Sequence, residues 1–417
     1  MFEAIEKFAP NAVFSMFTGD VIERQVWNSS IQTNKKQLHR AYGNMSNYFD
    51  LVYPVMGNHD SSPVNVYPYT EAPSALDTQW LYNTVADEWK RWTGGSSSDD
   101  IHFLGHYSSK FPHGNLRIIS LNTNFYYRAN FWMYRDPLVH DPKDQLTWLV
   151  AQLDAAEKAT ENVYIIGHMP MGDKDVFRHH SNYFDQIVRR YRSTIAAMFF
   201  GHTHVDQFEV SYTDYQNRTA DNAMAISYIA PSLTPSDGMP SFRIYDVDPE
   251  TFAVLDATTY ITDMNDPSYD RGPTWKKYYS AKEAYGSLLS PPVTDTEAEL
   301  SPAFWHRVTE ELESDDSAFK AYFERKRRGW NDISCDVVCK KEEICQLRAG
   351  RTEDNCQVDK PGFHISKRRD GGTPESARGS PHHCGDSHTA GILAALVDPN
   401  HRDTVIKLLE AELSMLD

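Results

Sequence analysis

The chain has 417 residues, and its content of 40% hydrophobic and 12% aromatic residues is enough for a large core. The formal net charge of −17 at pH 7 argues against nucleic acid as a partner, because nucleic-acid binding depends on basic surfaces. The sequence contains no apolar run of about eighteen residues, so no transmembrane segment is expected.

Several short apolar runs follow one another along the chain, and each ends in a polar tip. They are AVFSMFTGD, LVYPVMGNHD, LRIISLNTN, NVYIIGHMP and AAMFFGHTH. Short apolar runs that stop at turn residues are typical of buried strands. Between the third and fourth runs, DPKDQLTWLVAQLDAAEKATE has apolar residues at helical spacing, with Asp141 as the expected N-cap and Pro142 at the first helical position. Strands that alternate with a helix predict an α/β protein.

The later runs NAMAISYIA, SFRIYDV and FAVLDATTYI have no long helices between them, so they predict an added antiparallel sheet. We therefore expect two mixed β-sheets, stacked and flanked by helices. From about Trp275 the pattern becomes helical and charged. This change predicts a catalytic domain over residues 1–270 and a helical C-terminal subdomain over 271–360. Residues 361–417 are expected to form a disordered linker, rich in Gly, Pro and Ser, and a short helical tail.

The cysteines all lie near the end of the chain, at Cys335, Cys339, Cys345, Cys356 and Cys384. Such a cluster favours a small subdomain held by disulfides. A zinc site is the alternative, although the spacings differ from the paired two-residue gaps of zinc ribbons. Asn-x-Ser/Thr sequons agree with a secretory or lysosomal route, and they lie at Asn28, Asn44 and Asn217.

The polar tips of the predicted strands carry residues that can bind a metal ion. Ligands in open α/β sheets gather at the carboxyl ends of strands, and the side chains at these ends are Asp20, Asn58, His59, His168, His202 and His204. This mixture of nitrogen and oxygen atoms suits transition metals such as zinc, iron or manganese. The order GD, GNHD, GH and GHTH, each after an apolar run, predicts a metal centre in preference to unrelated structural histidines.

With these motifs the sequence resembles the calcineurin-like metallophosphoesterases and, within them, the acid sphingomyelinase family with its sphingomyelinase-like phosphodiesterases. The matching stretches include GNHDSSPVNVYP, SLNTNFYY, DPKDQLTWL, IIGHMPMG, FFGHTHVDQFEV and YIAPSLTPSDGMPSFRIYDVD. The resemblance covers about residues 10 to 356. It implies a calcineurin-like α/β sandwich with a helical C-terminal subdomain, in which Cys335 pairs with Cys339, Cys345 pairs with Cys356 and Cys384 stays unpaired.

The resemblance also implies a metal centre that holds two Zn²⁺ ions in the complete family site. Asp20 would bridge the two ions. Asn58, His168 and His202 would complete one site, and His204 would belong to the other. The family's first motif, an Asp-x-His on the strand before GD, has no counterpart here, and this absence predicts missing upstream sequence. We therefore expect at least one ion in this chain and a poor catalyst.

His59 would be the general acid beside the metals, because the ordinary pKa of an imidazole suits proton donation at mildly acidic pH. Asp60 is expected to shape the turn. Sphingomyelinases have a second histidine soon after the bridging aspartate, whereas GDVIERQVW has Glu23 and Arg24, as in the protein-phosphatase branch. Glu23 would then orient His59, and Arg24 would hold phosphate. The alternative is a solvated charged turn.

The activity that the resemblance implies is hydrolysis of sphingomyelin, a phospholipid, to ceramide and phosphocholine. The expected location is secreted, lysosomal or vacuolar. One alternative is a hydrolase of nucleotide or polyphosphate anhydride bonds from the same superfamily. The other alternative is a truncated, inactive protein that binds lipid or a partner without turnover.

Overall fold

The computed structural model describes residues 1–23, 29–135, 137–236, 238–330 and 334–356. The predictions made for Arg24, Asn28, Cys384 and the linker and tail of residues 361–417 lie outside the described residues. Among the described helices, none is both long and apolar enough to cross a membrane.

Helices and strands alternate through most of the described chain. The described α-helices are α1 (Phe2–Phe8), α2 (Ile31–Met45), α3 (Gln79–Thr93), α4 (Ser98–Leu104), α5 (Gln145–Lys158), α6 (Arg178–Arg190), α7 (Ala281–Ala284), α8 (Pro302–Ser314), α9 (Asp316–Lys326) and α10 (Val337–Leu347). The described strands are β1 (Ser15–Phe17), β2 (Val52–Pro54), β3 (Tyr107–Lys110), β4 (Leu116–Ser120), β5 (Asn162–Ile166), β6 (Ile195–Phe200), β7 (Gln207–Tyr212), β8 (Ala223–Ile229), β9 (Ser241–Val247), β10 (Val254–Thr262) and β11 (Trp275–Ser280).

The main sheet is mixed and has the strand order β3-β4-β5-β6-β8-β7. Its inner strands β4, β5, β6 and β8 run parallel, and the edge strands β3 and β7 run antiparallel to their neighbours. A second sheet, β11-β10-β9, is antiparallel, and β1 pairs with β2 in parallel. The prediction of an α/β protein with a mixed sheet flanked by helices is confirmed.

Two strands lie where the sequence analysis did not expect them. The run NAMAISYIA forms β8, which belongs to the main sheet between β6 and β7 and not to the added antiparallel sheet. After its first residue β8 is buried throughout, as is usual for a strand inside a covered sheet. Strand β11 occupies the start of the region expected to be helical, and it pairs with β10. Hydrophobic runs reveal strands, but they do not identify the partner strand.

The predicted helix after residue 140 also begins later than expected. Pro142 begins the short 3₁₀ turn Pro142–Asp144, in which Lys143 and Asp144 adopt left-handed backbone angles with φ of 58° and 57°. Helix α5 therefore starts at Gln145. The carboxylate of Asp141 still accepts hydrogen bonds from free N–H groups of the first turn, at 2.7 and 2.9 Å, so its capping role is retained across the turn.

The C-terminal helices pack against the main sheet instead of standing apart from it. Trp305 of α8 donates a hydrogen bond of 3.1 Å to the hydroxyl of Tyr228 on β8, and both side chains are buried. The disulfides Cys335–Cys339 and Cys345–Cys356 lie at the two ends of the α10 region. The two expected disulfides of the helical C-terminal region are confirmed, whereas the expected boundary between a catalytic domain and a C-terminal subdomain near residue 270 remains a prediction.

Candidate metal centre

The candidate ligands lie where four strands end. Asp20 follows β1, Asn58 follows β2, His168 follows β5 and His202 follows β6. Strands β1 and β2 are a parallel pair, and β5 and β6 are parallel neighbours in the main sheet. Because the carboxyl ends of parallel strands lie at the same edge, each pair presents its two polar tips together. The fold brings both pairs to one place.

The turns that carry these residues are unusually tight. Asp20, His202 and His204 have φ angles of 60°, 68° and 61°, a conformation that is uncommon outside glycine and is often found at functional sites. Gly57 is required at its position, because a Cβ atom there would lie 2.0 Å from Asp20 Oδ1. The missing side chain lets the two turns approach closely enough for their polar groups to meet.

The polar atoms of four side chains converge within these turns. Asn58 Oδ1 lies 3.0 Å from His168 Nε2 and 3.1 Å from His202 Nδ1, and Asp20 Oδ2 lies 3.2 Å from His168 Nε2. Among the described His, Cys, Asp and Glu residues, Asp20, His168 and His202 form the group whose ligand atoms all lie within 4.8 Å of one another. Asn65 Oδ1 accepts a hydrogen bond of 2.8 Å from Asn58 Nδ2, so the amide oxygen of Asn58 faces the cluster.

The two imidazoles turn their other nitrogens away from the cluster. His168 Nδ1 lies 2.6 Å from the Thr18 carbonyl oxygen, and His202 Nε2 lies 3.2 Å from Asp175 Oδ2. A carbonyl or carboxylate oxygen accepts hydrogen bonds, so these ring nitrogens carry the protons. His168 Nε2 and His202 Nδ1 are then the atoms left to act as ligands.

This donor set fits a divalent metal ion. With a proton at Nε2, His202 directs a lone pair from Nδ1 at the carbonyl oxygen of Asn58, and two acceptors 3.1 Å apart repel unless a cation lies near both. Asp20 Oδ2 is buried and lies 3.2 Å from His168 Nε2, so a cation bound between these atoms would offset the cost of burying the carboxylate. Asp20, Asn58, His168 and His202 could therefore hold one ion.

The electrostatics favour an ionised Asp20. Burial raises the pKa of the Asp20 carboxyl, but the charges of His168 and His59 outweigh burial and hold this pKa well below its ordinary value of 3.8. Burial lowers the pKa of His168, but the charge and hydrogen bond of Asp20 raise it above 6.5. Burial and then the negative charge of Asp20 raise the pKa of Asp60 to about 7. The ionised carboxylate is the form that binds a cation.

The remaining predicted residues surround this group. His59 is buried, and its backbone N–H donates a hydrogen bond of 2.9 Å to Asp20 Oδ1. His204 lies outside the group of close ligand atoms among the described residues, and its Nδ1 lies 2.8 Å from the hydroxyl of Ser236. Glu23 is exposed to solvent. The roles expected for these residues remain predictions.

The sequence analysis missed the residues that orient the ligands. Asn65, Thr18 and Asp175 each contact a ligand side chain through the atom that faces away from the cluster. The sequence GHMPMGDKD places two aspartates after His168, at Asp173 and Asp175. Their spacing alone does not tell which of them would reach His202, because that choice depends on the path of the loop.

Comparison with known proteins agrees with the site. Residues 1–206 match the Calcineurin-like phosphoesterase family, and a domain of this family implies binding of divalent metal. The chain is 32% identical over 343 residues to Sphingomyelin phosphodiesterase 1 of Caenorhabditis elegans, a match that covers 80% of this chain and 57% of the relative. It is 32% identical over 378 residues to Sphingomyelin phosphodiesterase of Homo sapiens, covering 88% and 56%.

The chain therefore spans little more than half the length of these two relatives. It is also 30% identical over 342 residues to Acid sphingomyelinase-like phosphodiesterase 3b of Homo sapiens, and this match covers 78% of this chain and 68% of the relative. From the matched domain and these relatives, we conclude that the chain belongs to the acid sphingomyelinase-like family of the calcineurin-like phosphoesterases.

Proposed function

We propose that this chain is a zinc-dependent phosphodiesterase that hydrolyses sphingomyelin to ceramide and phosphocholine. The observation that carries the proposal is the convergence of one carboxylate, one amide oxygen and two imidazole nitrogens, from Asp20, Asn58, His168 and His202, at one edge of the fold. Four nitrogen and oxygen ligands suit tetrahedral zinc. The family to which the chain belongs supports the choice of a phosphodiester substrate.

Bound zinc would supply a nucleophilic water and hold the phosphoryl oxygens of the substrate. The chain's own residues fix where this chemistry takes place. Asp20 contributes an anionic oxygen. Asn65 keeps the amide oxygen of Asn58 turned inward through a hydrogen bond of 2.8 Å. The Thr18 carbonyl oxygen, 2.6 Å from His168 Nδ1, holds the ring with Nε2 towards the cluster.

His59 is the residue proposed to protonate the leaving group. Ceramide leaves as an alkoxide, which is a poor leaving group and needs a proton as the phosphorus–oxygen bond breaks. His59 directly follows the ligand Asn58, and its backbone N–H is bonded to the Asp20 carboxylate. This contact holds His59 beside the candidate metal ligands, where its ring could reach the leaving-group oxygen of a bound phosphodiester.

Apolar side chains near the site support a lipid over a nucleotide or a polyphosphate as substrate. The ring of Tyr127 packs edge-on against the ring of His202, with centroids 5.0 Å apart. The segment that follows exposes Phe131, Tyr134 and Leu138, with relative exposures of 58%, 60% and 48%. The rings of Phe131 and Tyr134 lie 6.3 Å apart, and exposed apolar patches mark surfaces that contact membranes, ligands or proteins. A polyphosphate has no apolar part, and the base of a nucleotide is much smaller than the two hydrocarbon chains of ceramide.

The covalent features of the chain support a secreted, lysosomal or vacuolar location. The Cys335–Cys339 and Cys345–Cys356 disulfides are typical of oxidising compartments. The sequon residues Asn44 and Asn217 are exposed and so are accessible to glycosylation.

The deciding experiment loads the 417-residue chain with zinc and offers sphingomyelin vesicles, ATP and inorganic polyphosphate in parallel. Release of phosphocholine and of phosphate is followed by ³¹P NMR. We expect phosphocholine as the main product. The matched control is the Asn58→Ala/His168→Ala double variant, which should lose both bound zinc and activity, with His113→Ala as an exposed-histidine control.

Each other outcome has a definite meaning. Faster release of phosphate from ATP or polyphosphate would favour the anhydride hydrolase. A zinc-loaded chain that binds vesicles without releasing phosphocholine would favour the inactive binding protein. Equal zinc content in the wild type and the double variant would show that the assigned ligands are wrong.

A further inference from the structure

The two ring nitrogens of His202 face different partners. Nδ1 lies 3.1 Å from Asn58 Oδ1, within the candidate metal centre. Nε2 lies 3.2 Å from Asp175 Oδ2, on the far side of the ring. The side chain of His202 is completely buried, and that of Asp175 is 16% exposed. The pair therefore has little access to competing water.

Asp175 lies outside the group of ligand atoms itself. Among the described residues, that group contains Asp20, His168 and His202, with ligand atoms within 4.8 Å of one another, and Asp175 is not a member. The nitrogens of an imidazole point in divergent directions, so the nitrogen that faces Asp175 cannot also face the cluster. Asp175 can act on the metal centre through His202.

We propose that Asp175 is a positioning residue for the metal ligand His202. This proposal rests on the proposed metal-dependent function. Its carboxylate accepts the Nε2 proton of His202 in a hydrogen bond, and this bond fixes both the tautomer and the rotation of the ring. The lone pair of Nδ1 is thereby directed at the cluster. A histidine ligand whose second nitrogen donates to a carboxylate is better oriented and more basic than one without this partner.

The position of Asp175 is itself fixed by both the catalytic fold and the C-terminal region. Its backbone N–H donates to Asp173 Oδ1 at 2.9 Å, and its backbone carbonyl accepts from Arg128 at 2.8 Å. Asp173 is held in turn by Gln346 at 3.1 Å and by Thr352 at 2.8 Å. A continuous series of contacts therefore connects the loop closed by the Cys345–Cys356 disulfide to His202.

The test measures zinc affinity directly, by competition with a chelator, in the full chain. Asp175→Ala should weaken zinc binding by about 10- to 100-fold, the usual effect of removing the partner of a histidine ligand. Asp175→Asn keeps a side-chain oxygen that can accept the Nε2 proton, so its affinity should lie between those of the wild type and the alanine variant. Asp144→Asn removes an exposed carboxylate elsewhere and should leave affinity unchanged.

A second measurement separates positioning from folding. In metal-free protein labelled with ¹⁵N-histidine, His202 should show a protonated Nε2 in the wild type and a mixture of tautomers in Asp175→Ala, while the urea midpoint of unfolding changes little. Wild-type affinity in Asp175→Ala would overturn the proposal. So would equal losses of affinity in both variants together with a lowered urea midpoint.

The outcome for the substrate is independent. Suppose that zinc affinity falls in the expected order, from the wild type to Asp175→Asn to Asp175→Ala, but the zinc-loaded wild type releases no phosphocholine. The proposed substrate would then be wrong, and the role of Asp175 would be retained. If the wild type binds no zinc, the proposed metal-dependent function and the proposed role of Asp175 are both wrong.

Discussion

The carboxylate of Asp60 accepts a hydrogen bond of 2.8 Å from the backbone N–H of Val21, 39 residues earlier in the chain. The same carboxylate accepts from the backbone N–H groups of Asp20, Ile22 and Gly57 at 3.2, 3.3 and 2.7 Å. One side chain thus ties together the turn that carries Asp20 and the turn that carries Asn58. Asp60 shapes the site by hydrogen bonding, in agreement with the expectation from the sequence.

Replacing Asp60 by alanine should therefore destabilise the metal-free protein. The variant leaves several buried N–H groups without an acceptor, and we expect a loss of about 3 kcal/mol in the free energy of unfolding. Asp60→Asn, which keeps one acceptor oxygen, should lose less. Urea unfolding of the zinc-free chain measures the effect, and Asp50→Ala is the control at an exposed aspartate. Equal stability in Asp60→Ala and Asp50→Ala would contradict the bridging role.

The role of His59 is tested by varying the leaving group. His59→Ala should slow hydrolysis of sphingomyelin by about 10²–10⁴-fold, the usual contribution of a general acid. It should slow hydrolysis of bis(4-nitrophenyl) phosphate far less, because nitrophenolate leaves without a proton. The measurement is kcat/KM on both substrates, with His113→Ala as the control. Equal losses on the two substrates would place His59 in binding or folding and would favour the nucleotide or polyphosphate alternative.

The two disulfides should differ in their importance for the site. The Cys345–Cys356 bond closes the loop whose Asn355 donates to the Gly172 carbonyl at 3.1 Å, close to Asp173 and Asp175. A Cβ atom on Gly172 would lie 1.8 Å from the Ala349 carbonyl, so this packing is very close. Replacing both cysteines of this pair by serine should cost about 2–3 kcal/mol of stability, as expected for a loop of this size, and should also weaken zinc binding.

The matched control is the serine double variant of Cys335 and Cys339. The disulfide that it removes joins partly exposed residues four positions apart. It should lose less stability and keep its zinc affinity. Urea unfolding and chelator competition are measured on both double variants. Loss of zinc affinity in the control, with none in the Cys345/Cys356 variant, would refute the proposed connection to the site.

A buried carboxyl away from the metal centre should make stability depend on pH. Asp185 accepts a hydrogen bond of 2.7 Å from the Tyr215 hydroxyl, and burial raises the pKa of Asp185 from 3.8 to about 6, although Tyr215 and Arg351 act in the opposite direction. The folded state then binds the proton more tightly than the unfolded state. This stabilisation is present below pH 4 and is lost as the pH rises through 6.

As the pH rises from 5 to 7, ionisation of Asp185 alone should lower the free energy of unfolding by about 1 kcal/mol. Asp185→Asn cannot ionise, so it should remove that part of the pH dependence. Denaturant unfolding at the two pH values measures the change, with the exposed Asp221→Asn as control. An unchanged difference between pH 5 and pH 7 in Asp185→Asn would show that the carboxyl is not the group responsible.

The sequence by itself determined the class of the fold and the main ligand candidates. Apolar runs that stop at GD, GNHD, GH and GHTH mark both a strand and its polar end, because strand formation and turn formation are decided largely by neighbouring residues. The structure brings Asp20, Asn58, His168 and His202 together at these ends. The resemblance to a known family supplied the pairing of the cysteines.

Tertiary structure alone decided which distant groups meet. It placed β8 in the main sheet and β11 beside β10. It also turned His204 towards Ser236 and selected Asp175 as the partner of His202. Periodicity and spacing describe one segment at a time. Contacts between segments depend on the path of the loops and on how buried side chains pack, so the residues that orient the ligands could not be read from the sequence.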